Sequence, residues 1–241
     1  MALSPGMRHK QQVQAQLGAA QAATTGQATG LVANSLHLQL IALEQDMARL
    51  KALARMSDKV AMKRDELFPK YRPYVDKYLE LAALGTVYQN ALFQRLIVWA
   101  FDIGDLETAI NWALLAIEQN QRTPGNIKRD WAHFTADTVL GWAEEQAALG
   151  HGVEPWFSRV FDKVRNDWRL NEQATAKWYK LAGCLLLRDK DGVPRPSALA
   201  DNATLEQADH WLALAEKTHN KIGVGTLRHK IAMRLRALNP E

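Results

Sequence analysis

Between residues 36 and 61 the apolar positions recur in alternating steps of four and three: Leu36, Leu40, Leu43, Met47, Leu50 and Ala54, with Ser57 and Ala61 keeping the spacing. That is the a/d seam of a heptad, and it draws one narrow apolar stripe along a helix. Asn34 and Ser35 precede it as good N-cap residues. A helix over 35–66 would be roughly 45 Å long at about 1.5 Å per residue. So narrow a stripe buries little by itself, so the seam is expected to pair with copies of itself. Leu36, Leu40, Leu43, Met47 and Leu50 are then the oligomerisation contacts, and packing on the helix's own domain is the other option. Phe68-Pro69 and Arg72-Pro73 are expected to end the helix, because proline disfavours the helical region for the residue before it.

Past this boundary the periodicity stays helical, with helices expected near 74–84, 86–101, 105–120, 131–149, 155–169, 171–188, 204–220 and 226–238. Gly85, Gly104, Gly125, Gly150 and the Asp191–Pro196 stretch punctuate them. No segment alternates with period two, so the expected class is all-α. The division is a flexible arm over 1–34, a long basic helix over 35–66 and a helical-hairpin domain over 67–241. Leu106–Ala116 (LETAINWALLA) and Leu205–Ala215 (LEQADHWLALA) share Leu, Ala and Trp at offsets 0, 3 and 6. The small alanine admits a neighbouring helix while the tryptophan fills the flank, which resembles the second helix of a tetratricopeptide-like hairpin.

Charge is unevenly distributed. Residues 1–72 hold ten basic and five acidic residues, 217–241 hold six and one, and the middle carries a net −6. Basic ends around an acidic body suit contact with a polyanion at the ends. The candidate contacts on the long helix are Arg49, Lys51, Arg55, Lys59, Lys63 and Arg64. Arg122, Lys128 and Arg129 offer more in the loop 122–129, and Arg228, Lys230 and Arg234 do so near the C-terminus. The plainer alternative for each set is a solvated helix face or connection. Most of the eight tryptophans sit at helical spacing among Ala and Leu and read as core. Trp131, directly behind the basic loop, is the one that could serve as a stacking platform for a base.

Several classes of chemistry are excluded. Cys184 is the only cysteine, so no intrachain disulfide and no cysteine-based zinc site can form. The histidines lack metal-site spacing, and phosphate-cradling glycine loops and the nucleophile elbow are missing. Asp102 and Asp105 in FDIGDLE are the weak candidates for a catalytic pair, and each also reads as a helix end. No apolar run approaches the roughly 20 residues a membrane span needs. No signal peptide is visible, so a reducing, cytosolic setting is expected.

KRDELFPKYRPYVDKYLELA (63–82), FQRLIVWAFDIGDLETAINWALLAI (93–117), the TPG-x-x-KR loop (123–129) and K-x-x-G-x-x-L-x-R-D (180–189) resemble the GPM-type small terminase subunit of tailed, temperate bacteriophages over residues 35–238. The resemblance implies recognition of double-stranded viral DNA at the packaging site and its delivery to a large ATPase/nuclease subunit in the cytoplasm of the bacterial host. It implies no cofactor in this chain, with ATP and divalent metal belonging to the large subunit. The family also carries the label endonuclease subunit. The alternatives to a DNA-binding homo-oligomer are a tetratricopeptide-like adaptor without DNA contact and a subunit that cuts DNA itself.

Overall fold

The computed structural model describes residues 36–239 and is all-α: no strand occurs among those residues, and one isolated bridge pairs Arg188 with Pro194. The arm expected over 1–34 lies outside the described residues. The chain divides into two compact units, one ending at Leu79 and one beginning at Glu80.

In the first unit, helix α1 covers 36–52 and residues 53–55 form a turn. Helix α2 (Met56–Met62), a π-helical turn (Lys63–Leu67) and helix α3 (Phe68–Ala83) then follow as one continuous helical run. The helix expected over 35–66 is therefore interrupted at 53–55, and the prolines do not end it. Proline lacks an N–H and its ring clashes with the carbonyl four residues back. The π turn shifts the ladder just before Pro69, with the Phe68 N–H reaching the Lys63 carbonyl. Pro69 and Pro73, one turn apart, both lie on the exposed side of α3, where water can satisfy freed carbonyls.

The turn folds α1 back on α3. Arg49 pairs with Glu66 at 2.6 Å, and Asp46 accepts from Lys70 at 2.6 Å and Tyr71 at 2.7 Å. Contacts that move apart in sequence in both directions define an antiparallel hairpin. Leu43 and Leu50 of the seam are buried within the chain, as are Leu67, Tyr71, Val75 and Tyr78 on the returning helix. Apolar surface that the sequence offered to another copy is thus already covered at these two positions; Leu36, Leu40 and Met47 stay half-buried.

Asp46 shares that stripe and is only 3% exposed. Burial pushes its carboxyl up, but the hydrogen bonds from Lys70, Tyr71 and Arg49 outweigh burial and hold it below its ordinary 3.8. Burial and the bond to Asp46 raise the Tyr71 phenol in turn. A depressed carboxyl contributes stability that is fully present above 3.8 and is lost as pH falls through the folded value. Asp46→Asn is expected to cost about 1–3 kcal/mol at neutral pH, as the buried network loses its charge. It should also flatten the acid dependence of the hairpin. Hydrogen exchange of 36–79 between about pH 5 and about pH 2 checks this, and equal pH slopes in both proteins would contradict it.

The second unit contains α4 (Ala91–Asp102), α5 (Leu106–Glu118), α6 (Trp131–Ala148), α7 (Trp156–Asn166), α8 (Glu172–Leu186), a 3-10 turn (Pro196–Ala198), α9 (Asn202–Thr218) and α10 (Gly225–Leu238). Neighbours in sequence pack as neighbours in space: α4 on α5, α5 on α6, α6 on α7, α8 on α9 and α9 on α10, with α8 also against α6 and α7. Leu106, Ala109 and Trp112 of the first repeat segment are buried, as are Leu205 and Ala208 of the second. The small residues permit a close approach. A Cβ at Gly183 of α8 would lie 2.7 Å from Leu212 and 3.0 Å from the Ala208 carbonyl of α9. Trp178 is fully buried and stacks on Phe157 and Phe161, with ring centroids 5.2 and 6.1 Å away.

Candidate nucleic-acid interface

The twelve cations read from the sequence fall into three local settings. In the first unit the antiparallel fold neutralises some of them. Arg49 is clamped between Asp46 and Glu66, and Arg64 lies against Asp65 at 2.9 Å. Lys63, on the π turn, is half-buried and also engaged. Lys51, Arg55 and Lys59 differ: among the described residues none has an ion-pair partner. Lys51 lies in the last turn of α1, Arg55 stands at the N-cap of α2 in extended conformation, and Lys59 follows one turn later. All three surround the 53–55 turn, with Asp58 as the nearby acid. Three cations against one carboxylate at an exposed helix junction favour a polyanion.

The loop 122–129 is pinned in place. Gln121, itself buried, accepts from the Asn90 N–H at 3.0 Å and from Gln94 at 3.1 Å, and donates to the Tyr88 carbonyl at 2.6 Å. Gln89 accepts from the Arg122 N–H at 2.9 Å and donates to the Asn120 carbonyl at 2.8 Å. Arg95 of α4 donates to Asn126 at 3.2 Å; burial pulls its guanidinium down, and the Asp102 charge on the same helix opposes this. The loop is thus fastened to the start of α4 at several points. It presents Arg122 and Lys128, both exposed and, among the described residues, without ion-pair partners. Arg129 pairs with Asp137. No periodicity marked these glutamines, whose role follows only from how the chain folds back. Trp131 is buried edge-on against Phe134 and belongs to the core, so it offers no face to a base.

On α10, Arg228 is held by Asp209 at 2.9 Å and Glu216 at 2.7 Å, which raises its guanidinium further above the usual range. Arg234 donates to the Leu199 carbonyl at 2.6 Å. Both therefore serve the packing of α10, while Lys230 stays exposed and, among the described residues, without an ion-pair partner. A phosphate contact by Arg228 would first have to break two ion pairs.

Asp102 and Asp105 both sit at helix ends. Asp105 caps α5 by accepting from the Thr108 N–H at 3.1 Å, and Asp102 closes α4 as the charge facing Arg95. Among the described residues no cluster of three or more His, Cys, Asp or Glu could hold a metal ion. No helix among them is long and apolar enough to cross a membrane.

Residues 40–173 match the family of phage small terminase subunits. A protein of Haemophilus phage HP1 named probable terminase, endonuclease subunit is 38% identical over 198 residues, which cover 82% of this chain and 69% of the relative. A terminase, endonuclease subunit of Escherichia phage P2 is 28% identical over 207 residues, covering 86% of this chain and 79% of its own. No solved structure matches.

Proposed function

Because this chain belongs to the phage small terminase subunit family, we propose that it binds double-stranded viral DNA in the cytoplasm of the bacterial host. It then delivers that DNA to a large subunit that supplies ATP hydrolysis and metal-dependent cutting. The observation that carries the DNA reading is the group Lys51, Arg55 and Lys59 around the 53–55 turn. These are the long-helix candidates that have no ion-pair partner among the described residues. The pinned loop with Arg122 and Lys128 is a second contact of the same kind. Such cations grip phosphates and set register, so sequence preference has to come from base edges or from the ease of bending the duplex. Leu38 and Ile41 are exposed on α1 and give a second copy an apolar strip to meet, which would multiply the cations along the DNA.

Replacing Lys51, Arg55 and Lys59 together by Gln keeps helix propensity nearly unchanged. The affinity of the full chain for a short duplex is expected to fall by about tenfold, roughly 1.4 kcal/mol. The slope of log affinity against log salt should become shallower by at most about 0.9 per lost phosphate contact. Arg64→Gln, at a position that Asp65 already neutralises, should change affinity by less than about threefold. Equal affinity and equal salt slope in the triple variant and the parent would remove the turn from the interface. DNA binding that is absent from the parent itself would favour a protein adaptor.

A further inference from the structure

The C-terminal helix carries a feature that phosphate contact does not explain. Between α10 and the segment before the 3-10 turn lies a groove of about 440 Å³, lined by Pro194, Arg195, Pro196, Lys230, Met233 and Ala237. Its wall is rigid. Asp189 accepts from the Asp191 and Val193 N–H groups at 3.0 and 2.9 Å and pairs with Arg195 at 2.9 Å. Gly192 sits at φ +81°, where a Cβ would collide with the Ala147 carbonyl. At the groove Met233 is 55% exposed. Lys230 lines the groove with it, and Arg236 lies on the same exposed stretch of α10.

We propose that this groove is a docking site for an acidic linear segment of a partner protein, one that carries an apolar side chain among its carboxylates. The apolar residue seats on Met233 and Ala237 between the two prolines, and the carboxylates meet Lys230 and the part of Arg195 that Asp189 leaves open. Charge complementarity identifies the occupant. The titratable groups lining the groove are all cationic, and Asp189 is engaged with Arg195. A thioether and proline rings at the centre of a cationic rim suit an apolar anchor and add nothing for a phosphate backbone. Methionine adapts its shape to such anchors. Local contacts that hold the 189–195 loop lower the ordering cost that binding would otherwise add. The groove lies outside residues 40–173, and it stands independently of the DNA reading.

The test exposes the full-length chain to a library of random peptides and measures the enriched ones by fluorescence anisotropy. The expected result is a shared pattern of two or more acidic residues beside one large apolar residue. Affinity for such a peptide should fall about tenfold in Lys230→Glu and about fivefold in Met233→Ser. Both positions are exposed, so the variants should melt as the parent does. Three outcomes would overturn the proposal. One is enrichment without acidic residues or no enrichment at all. Another is peptide binding that both variants leave unchanged. The last is a Lys230→Glu defect seen for a DNA duplex but for no peptide, which would return α10 to DNA contact.

Discussion

Replacing Leu43 and Leu50 together by Asp is expected to open the α1–α3 hairpin while the second unit stays folded. Both leucines are buried in the stripe that also carries Asp46, and Asp46 already uses Lys70, Tyr71 and Arg49 as partners. New carboxylates on that face would find those partners occupied. An unpaired buried charge costs several kcal/mol, and two of them exceed what one hairpin can offset. Hydrogen exchange should report loss of protection over 36–79, with protection retained over 91–238. The loss should not depend on protein concentration. A double variant that keeps its protection but drops to monomer mass would show that the seam joins copies, as the heptad pattern by itself suggested.

The second large effect is expected at Trp178. It is fully buried in α8 and stacks on Phe157 and Phe161 of α7. Phe161 in turn meets Trp211 edge-on at 5.3 Å, so one aromatic column links α7, α8 and α9. Trp178→Ala should cost about 3–5 kcal/mol through lost transfer energy and the cavity left behind. The melting temperature should fall by roughly 10 °C for a unit of this size. Trp178→Phe should cost much less. It keeps a ring in the stack and removes an indole N–H that has no hydrogen-bond partner among the described residues. Equal losses in the two variants would mean that the column does not hold the helices together.

How far the sequence reached can be judged residue by residue. The all-α class was legible because apolar spacing near 3.6 and glycine punctuation are local, and helix formation answers to local signals. Asp105 was legible as a cap for the same reason: the bond from Thr108 spans three residues. The cations were legible as candidates, but not their state. Arg49 finds Glu66 seventeen residues away, Arg228 finds Asp209 nineteen away, and Gln121 reaches back past thirty residues to Asn90. Pro69 misled because the rule for the residue before proline assumes an ordinary ladder, and a π turn ending at Leu67 alters that ladder; Pro73 lies inside α3 on its exposed side.

By itself the sequence determined that every element is a helix, that the long N-terminal stripe must be covered, and that the basic residues gather at the two ends. Only the tertiary structure decided what covers the stripe and which charges stay open. The turn at 53–55 contains neither glycine nor proline, so nothing local marks it. When the chain reverses there, Arg49 reaches Glu66 on the π turn, Asp46 reaches Lys70 and Tyr71 on α3, and Leu43 and Leu50 become buried. A heptad stripe specifies a face and its width, and that face is identical whether its partner is another copy or the returning chain. The choice rests on contacts between residues far apart in sequence, which periodicity does not encode.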